Sequence, residues 1–475
     1  MIEQSLLEDY NQSRITPADF NASFQTHGKF CYAPSASLYF AHEGKVFACC
    51  ENREHLLGAY PSNSIAEIWK GESAAQLRKF IDEKNLWHGC KGCDFDLKSR
   101  NFGGVKAKAF DYAGMQQSDP RYPSMMEFEL ENTCNLECVM CTGIFSSSIR
   151  KNREHLPIIP TPYDDEFVRQ LEEFIPHLAL ANFFGGEPFL VEIYYKIWEK
   201  MGELNPGMNV WVTSNGTILN NRVKDLLSRI RFNLTISIDS IKKETYEKIR
   251  VNSSFERVME NFEYFHQYTK SIHSDFTVNT CPMTLNWQGL PGMVKWADDE
   301  GVALNIIAVR YPESLSLSSM SAQKLAEILD YYNSATFSTA DNFSGRNKKK
   351  FEDYVRYVQQ WHLYKKEMEK ISNGSGALQP LDEIRCRIKA NLHLSSNSEE
   401  AIDDQAQAVM GRLQRLHEKV QLSYPSMSNE AWNLALKSKT EELLYAMMMM
   451  SDEEILAQAE NLLAGKSNAA PYLNR

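Results

Sequence analysis

The sequence predicts an α/β protein: an open, partial (β/α)6 TIM-like barrel, with a cysteine-rich α+β domain before it and a helical region after it. Three observations lead there. Between about residues 125 and 309, short strand-like apolar runs alternate with amphipathic helical patterns, as parallel α/β folds require. The ten cysteines are grouped: Cys31, Cys49, Cys50, Cys90 and Cys93 lie upstream, Cys134, Cys138 and Cys141 share one loop, and Cys281 and Cys386 stand alone. Beyond about residue 315 the alternation stops, and Phe351, Tyr354, Val355, Val358 and Trp361 recur at helical spacing.

Composition sets the class. A chain of 475 residues is too long for one core and suggests two or three domains. We divide it into an arm (1–25), a cysteine-rich domain (26–110), a barrel (120–315) and a helical tail (316–475). With 43% hydrophobic and 24% charged residues it reads as globular, and no apolar run approaches the roughly 20 residues that span a bilayer. The opening residues Met1 to Asp9 lack the basic and apolar regions of a secretory signal, so a cytoplasmic location is expected. A net charge of −11 argues against nucleic-acid and anionic-membrane partners. In a reducing compartment the cysteines are expected to be metal ligands rather than disulfides.

The first domain opens with a hairpin signal. Ser37 to Ala41 alternates toward a His42-Glu43-Gly44 turn, and Lys45 to Ala48 returns to Cys49 and Cys50. Ser64 and Glu67 form a capping box for a helix from about 65 to the low 80s, and a loop then delivers Cys90-Lys91-Gly92-Cys93. Cys31, Cys49, Cys90 and Cys93 thus give four thiols from three loops. That set suffices for a fully protein-ligated iron–sulfur cluster or a structural zinc site. Cys50 is the alternative to Cys49, because neighbouring strand residues point to opposite faces. Residues 104 to 122 read as a connector.

Strands are predicted near 125–131, 178–184, 208–213, 232–238, 275–280 and 303–309. Helices are predicted near 164–175, 190–203, 219–229, 253–269 and 290–300. In such barrels chemistry sits at the C-terminal strand ends. The first strand leads into Cys134-x3-Cys138-x2-Cys141, a spacing that grips three corners of a [4Fe-4S] cubane and leaves one iron open. The second ends in Gly185-Gly186-Glu187-Pro188, whose glycines let a ligand approach the backbone and whose carboxylate can accept from an ammonium group. Ser214-Asn215-Gly216 and Ser237-Ile238-Asp239-Ser240 follow at the next two strand ends, and Asn279 and Cys281 at the fifth.

The cysteine array, the Gly185 to Pro188 loop and the Ser237 to Ser240 segment together resemble the radical S-adenosylmethionine (SAM) enzymes. The Cys31, Gly44-x4-Cys49, Cys90-x2-Cys93 set resembles the auxiliary-cluster domains called twitch or SPASM. Two departures stand out: Met140 occupies a place usually held by an aromatic residue, and the auxiliary domain precedes the barrel instead of following it.

The resemblance implies a [4Fe-4S] cluster with SAM on its open iron and a second, auxiliary [4Fe-4S] cluster. SAM would be cleaved reductively to a 5′-deoxyadenosyl radical that takes hydrogen from carbon. It further implies that Gly185, Gly186, Glu187 and Pro188 receive the methionine amino group, Ser237 the ribose or carboxylate region, and Arg250 the methionine carboxylate, with Asn215 and Asn279 as further rim contacts. A low-potential flavodoxin or ferredoxin would donate the electron. Cys281 is a candidate hydrogen-atom donor to a substrate radical, or else a packed structural thiol. The substrate expected is a peptide or protein undergoing cross-linking, oxidation or epimerisation. The alternatives are a small molecule such as a sugar or cyclitol, and a non-catalytic cluster protein. In the tail, Ser372-Asn373-Gly374-Ser375-Gly376 reads as a linker, Ser451 and Glu454 as a capping box, and Met447 to Met450 as packing at a helix end.

Overall fold

A computed structural model describes residues 29–86, 88–98, 105–337, 342–375 and 399–423, with a few isolated positions including Tyr10. The arm apart from Tyr10, Cys386, the Met447 to Met450 run, and Ser451 and Glu454 of the capping box lie outside the described residues.

One nine-stranded sheet organises the chain. A hairpin of β1 (Ser37–Phe40) and β2 (Lys45–Phe47) is followed by the two-residue β3 (Gly58–Ala59). The barrel strands are β4 (Met125–Phe128), β5 (Leu180–Phe183), β6 (Asn209–Ser214), β7 (Phe232–Ser237), β8 (Phe276–Thr280) and β9 (Ala303–Ile306). All six run parallel in sequential order, so their C-terminal ends share one rim. Each coincides with a predicted strand, because each carries a period-2 apolar pattern between turn signals. Leu38, Phe40, Met126, Phe128, Phe183, Val212 and Ile236 are completely buried on the helix-facing side. Alternate residues such as Glu127, Asn182, Thr235 and Asn279 therefore face the barrel interior.

The hairpin does not form a separate sheet. β1 pairs in parallel with β4, aligning Tyr39 with Glu127 and Phe40 with Phe128, so the order is β3-β2-β1-β4-β5-β6-β7-β8-β9. The cysteine-rich segment and the barrel share this sheet, and Phe40 stacks on Phe128 with ring centroids 5.5 Å apart. At the opposite edge, Asn347 of the helix Asn342–Ser375 bonds the strand's free backbone. Its amide nitrogen donates to Val302 O at 2.9 Å, and its oxygen accepts from Leu304 N at 2.8 Å. A side chain thus occupies the place of a tenth strand and satisfies groups that an exposed edge leaves open.

Several local expectations are revised. The helix predicted from 65 into the 80s is two helices, Ile65–Lys70 and Glu72–Asp82, hinged at Gly71, whose extended backbone caps one and starts the other. The Ser64–Glu67 capping box is present. The connector contains two short helical segments, Lys106–Phe110 and Asp111–Gln116, packed through Ala107, Phe110 and Ala113. Two short helices, Ser147–Asn152 and Lys243–Ile249, escape the sequence pattern because neither spans enough turns to show periodicity. The first four residues of the expected linker continue the long helix to Ser375.

Candidate active site

The loop after β4 is held by backbone and hydroxyl contacts, not by regular structure. Ser147 Oγ accepts from Cys134 N at 3.1 Å, and Ser148 Oγ donates to Cys134 O at 2.7 Å. Asn132 bridges across the loop to Gly143 O at 2.8 Å. On the other side, Glu137 N donates to Val251 O at 3.0 Å and Val139 N to Ile249 O at 2.9 Å. Cys138 is therefore clamped opposite Arg250. Burial raises all three thiols, Cys134 to about 11 and Cys141 to about 12.

The Gly185 to Pro188 loop packs directly against the stem of this loop. Gly185 and Gly186 both have positive φ, at 84° and 55°, and a Cβ on Gly186 would lie 2.2 Å from Thr133 O. Glu187 N donates to that same carbonyl at 2.7 Å. The Glu187 side chain is completely buried: Oε1 accepts from Ser214 Oγ (2.8 Å) and Phe189 N (3.2 Å), and Oε2 from Asn215 N (2.6 Å). Three of its four lone-pair sites are taken, so the carboxylate chiefly ties the end of β5 to that of β6. Burial pushes it up to about 7 despite these donors. Asn215 is 3.0 Å from Asn135 Oδ1 through its amide nitrogen, which is also 3.9 Å from Cys134 Sγ.

Arg250 follows the helix Lys243–Ile249 and is only 7% exposed, not solvent-facing. Its Nε donates to Asp239 Oδ2 at 2.8 Å, and its Nη1 is 3.9 Å from Cys138 Sγ. Ser237 closes β7 in register with Asn279, which accepts from Asn305 at 3.1 Å. Cys281 packs among Val139, Met140, Ile249, Met283, Leu285 and Val309, and its amide donates to Asp239 Oδ1 at 2.7 Å. The Cys281 thiol lies beside the cysteine loop and is raised by burial. Met140 belongs to this same apolar group.

The second set comes together under the hairpin. Cys31, Cys49, Cys90 and Cys93 share one packed cluster with Phe30, Leu86 and Phe110. Cys50 points the other way, against Tyr39, Phe47 and Phe184. Asn52, which sequence reasoning passed over, holds two of the thiols: its backbone N is 3.4 Å from Cys49 Sγ, and its side-chain amide is 3.4 Å from Cys90 Sγ. Ala33 N makes the same contact to Cys31 Sγ. Among the described residues, neither thiol set gathers three sulfurs within 4.8 Å of one another. N–H donors aimed at the sulfurs are the usual support for an iron–sulfur cluster.

Residues 129–296 match the family described as the radical SAM superfamily, and residues 31–94 match the SPASM family, described as an iron-sulfur cluster-binding domain. The chain thus carries a radical SAM domain with a SPASM-like region ahead of it. Its cofactors are accordingly a [4Fe-4S] cluster with SAM, and a further iron–sulfur cluster. Among curated relatives, a GTP 3′,8-cyclase of Lactiplantibacillus plantarum is 27% identical over 150 residues, covering 31% of this chain and 42% of that protein. An AdoMet-dependent heme synthase of Methanosarcina barkeri is 24% identical over 181 residues, covering 38% and 48%. The chain thus spans about half the length of the curated relatives it matches. Among solved structures, native anSMEcpe with bound AdoMet aligns with a TM-score of 0.34 at 17% identity, over 44% of this chain and 59% of that one. SuiB of Streptococcus suis bound to S-adenosylmethionine aligns with a TM-score of 0.33 at 12% identity, over 55% and 58%. Among the described residues, no helix is long and apolar enough to cross a membrane.

Proposed function

We propose that the chain abstracts hydrogen from a peptide or protein substrate and modifies it by cross-linking or oxidation. The observation that carries this reading is the open sheet. With β1 to β3 added beside β4, the strands do not close into a ring, and one sheet carries both the Cys134 loop and the hairpin that leads to Cys49. In this reading an extended chain lies between the two thiol sets, which the one sheet carries. Cys134, Cys138 and Cys141 hold a [4Fe-4S] cluster in this reading, which with SAM supplies a 5′-deoxyadenosyl radical when reduced by a low-potential flavodoxin or ferredoxin.

The chain's own residues have distinct parts. The Gly185 and Gly186 backbone receives the methionine amino group, beside the last free lone pair of Glu187. Pro188 holds the turn, and Asn215 supports Cys134. Ser237 and the donors of Arg250 not engaged by Asp239 take the carboxylate end of SAM. Cys31, Cys49, Cys90 and Cys93 ligate the auxiliary cluster. Cys281 donates hydrogen only in an epimerising version of the reaction, which turnover in heavy water detects as deuterium on product carbon.

The relatives named GTP 3′,8-cyclase favour a second reading, radical chemistry on a small molecule such as a nucleotide. Reconstituted holoenzyme given GTP, or a short peptide encoded beside the gene, separates the two. The expected result is 5′-deoxyadenosine formation coupled to loss of two hydrogens from the peptide, read by mass spectrometry. GTP consumption with an unaltered peptide would falsify the peptide reading.

The hairpin also yields a testable distinction. Cys49→Ser is expected to lower bound iron by about four per chain, whereas Cys50→Ser leaves iron unchanged. Equal iron content in both variants would exclude Cys49 as a ligand.

A further inference from the structure

The backbone pairing around Cys138 does more than hold the loop. Glu137 and Val139, its neighbours, donate to Val251 and Ile249, the neighbours of Arg250. Those two bonds set Cys138 and Arg250 face to face, so the 3.9 Å approach of Nη1 to Cys138 Sγ follows from the chain path, not from a free rotamer. Asp239 fixes the guanidinium from behind. It is 1% exposed; Oδ2 accepts from Arg250 Nε at 2.8 Å, Oδ1 from the Cys281 amide at 2.7 Å, and its backbone oxygen from Asn286 at 2.8 Å.

A buried ion pair like this one is weak evidence for stability, because desolvating two charges offsets their attraction. Its geometry points elsewhere. The fork spends one donor on Asp239, directs a second at sulfur, and has donors left for an anion. A cationic donor aimed at a ligating thiolate stabilises the more negative, reduced state of the centre that the sulfur binds, and in a site closed to water that effect is little screened.

We propose that Asp239 and Arg250 are a positioning pair that raises the reduction potential of the cluster held by Cys138, independently of any contact between Arg250 and SAM. This rests on the reading of Cys134, Cys138 and Cys141 as ligands of the open-iron cluster.

The test is an anaerobic redox titration of the reconstituted holoenzyme, followed by electron paramagnetic resonance without SAM, so that carboxylate binding cannot contribute. The open-iron cluster is recognised in a parallel sample as the signal that changes when SAM is added. Arg250→Met is expected to shift its midpoint to a more negative potential, with Arg250→Lys recovering part of the shift. Ser237→Ala is expected to weaken SAM binding while leaving the SAM-free midpoint in place. An Arg250→Met protein with full iron and sulfide that titrates at the wild-type potential overturns the proposal. Should that variant lose its cluster, Arg250→Gln decides in its place: it removes the charge but keeps an amide donor beside Asp239, and an unmoved midpoint there is equally fatal. A wild-type protein with no SAM-responsive cluster overturns the ligand reading and the proposal together, whereas a responsive cluster with an unmoved potential overturns the proposal alone.

Discussion

Replacing Cys134, Cys138 and Cys141 together with Ala is expected to abolish 5′-deoxyadenosine formation and remove about four irons per chain, leaving the auxiliary set loaded. The structure makes the loss specific to chemistry. The loop is held by Ser147, Ser148, Asn132 and the backbone bonds to Ile249 and Val251, none of which uses a thiol. The sheet should therefore survive the substitution, and circular dichroism should remain that of the parent. Iron, sulfide and the nucleoside are counted on the same preparation. Continued nucleoside release from the triple variant would remove the central premise of the functional reading.

Glu187→Ala is expected to destabilise the protein by about 3 kcal/mol or more, because it leaves three buried donors without an acceptor at roughly 1–3 kcal/mol each. Those donors are the Ser214 hydroxyl and the amides of Phe189 and Asn215, around a side chain with no exposure. Glu187→Gln keeps one accepting oxygen and should lose less. The carboxyl, pushed up to about 7 from an ordinary value of 4.5, also sets the sign of a pH effect. The folded state holds its proton more tightly than the unfolded chain, so this group's contribution to stability falls as pH rises between those two values. Glu187→Gln should flatten that slope in denaturant titrations at a series of pH values. An Ala variant as stable as the parent would show that the network is not under load.

The barrel was legible because its strands carry their signal locally. The six strands from Met125–Phe128 to Ala303–Ile306 each alternate, and the helices between them have caps or terminal glycines such as Gly301. The cysteine groupings were equally plain, since spacing alone sorts the three thiols of one loop from the five upstream. What stayed hidden depends on contacts across the chain. The parallel pairing of β1 with β4 joins residues more than eighty positions apart, and no turn motif announces it. That Cys49 and not Cys50 packs with Cys31, Cys90 and Cys93 depends on which face of the hairpin meets Leu86 and Phe110. The orienting part of Asp239 was within reach, since the residue sits in a recognised segment, but its partner Arg250 arrives on a short helix that periodicity does not detect. Asn52 had no signal beyond lying close to Cys49.

The shared sheet has a consequence for electron traffic. Because β1 is hydrogen-bonded to β4, the thiols that follow the hairpin and the thiols that follow β4 belong to one continuous lattice of strands ~4.8 Å apart. A domain tethered by a linker can swing, and the gap between two redox centres then varies with every excursion. In the reading proposed above, strand register sets the gap between the two clusters, and a reacting carbon placed for one centre would stand at a constant distance from the other.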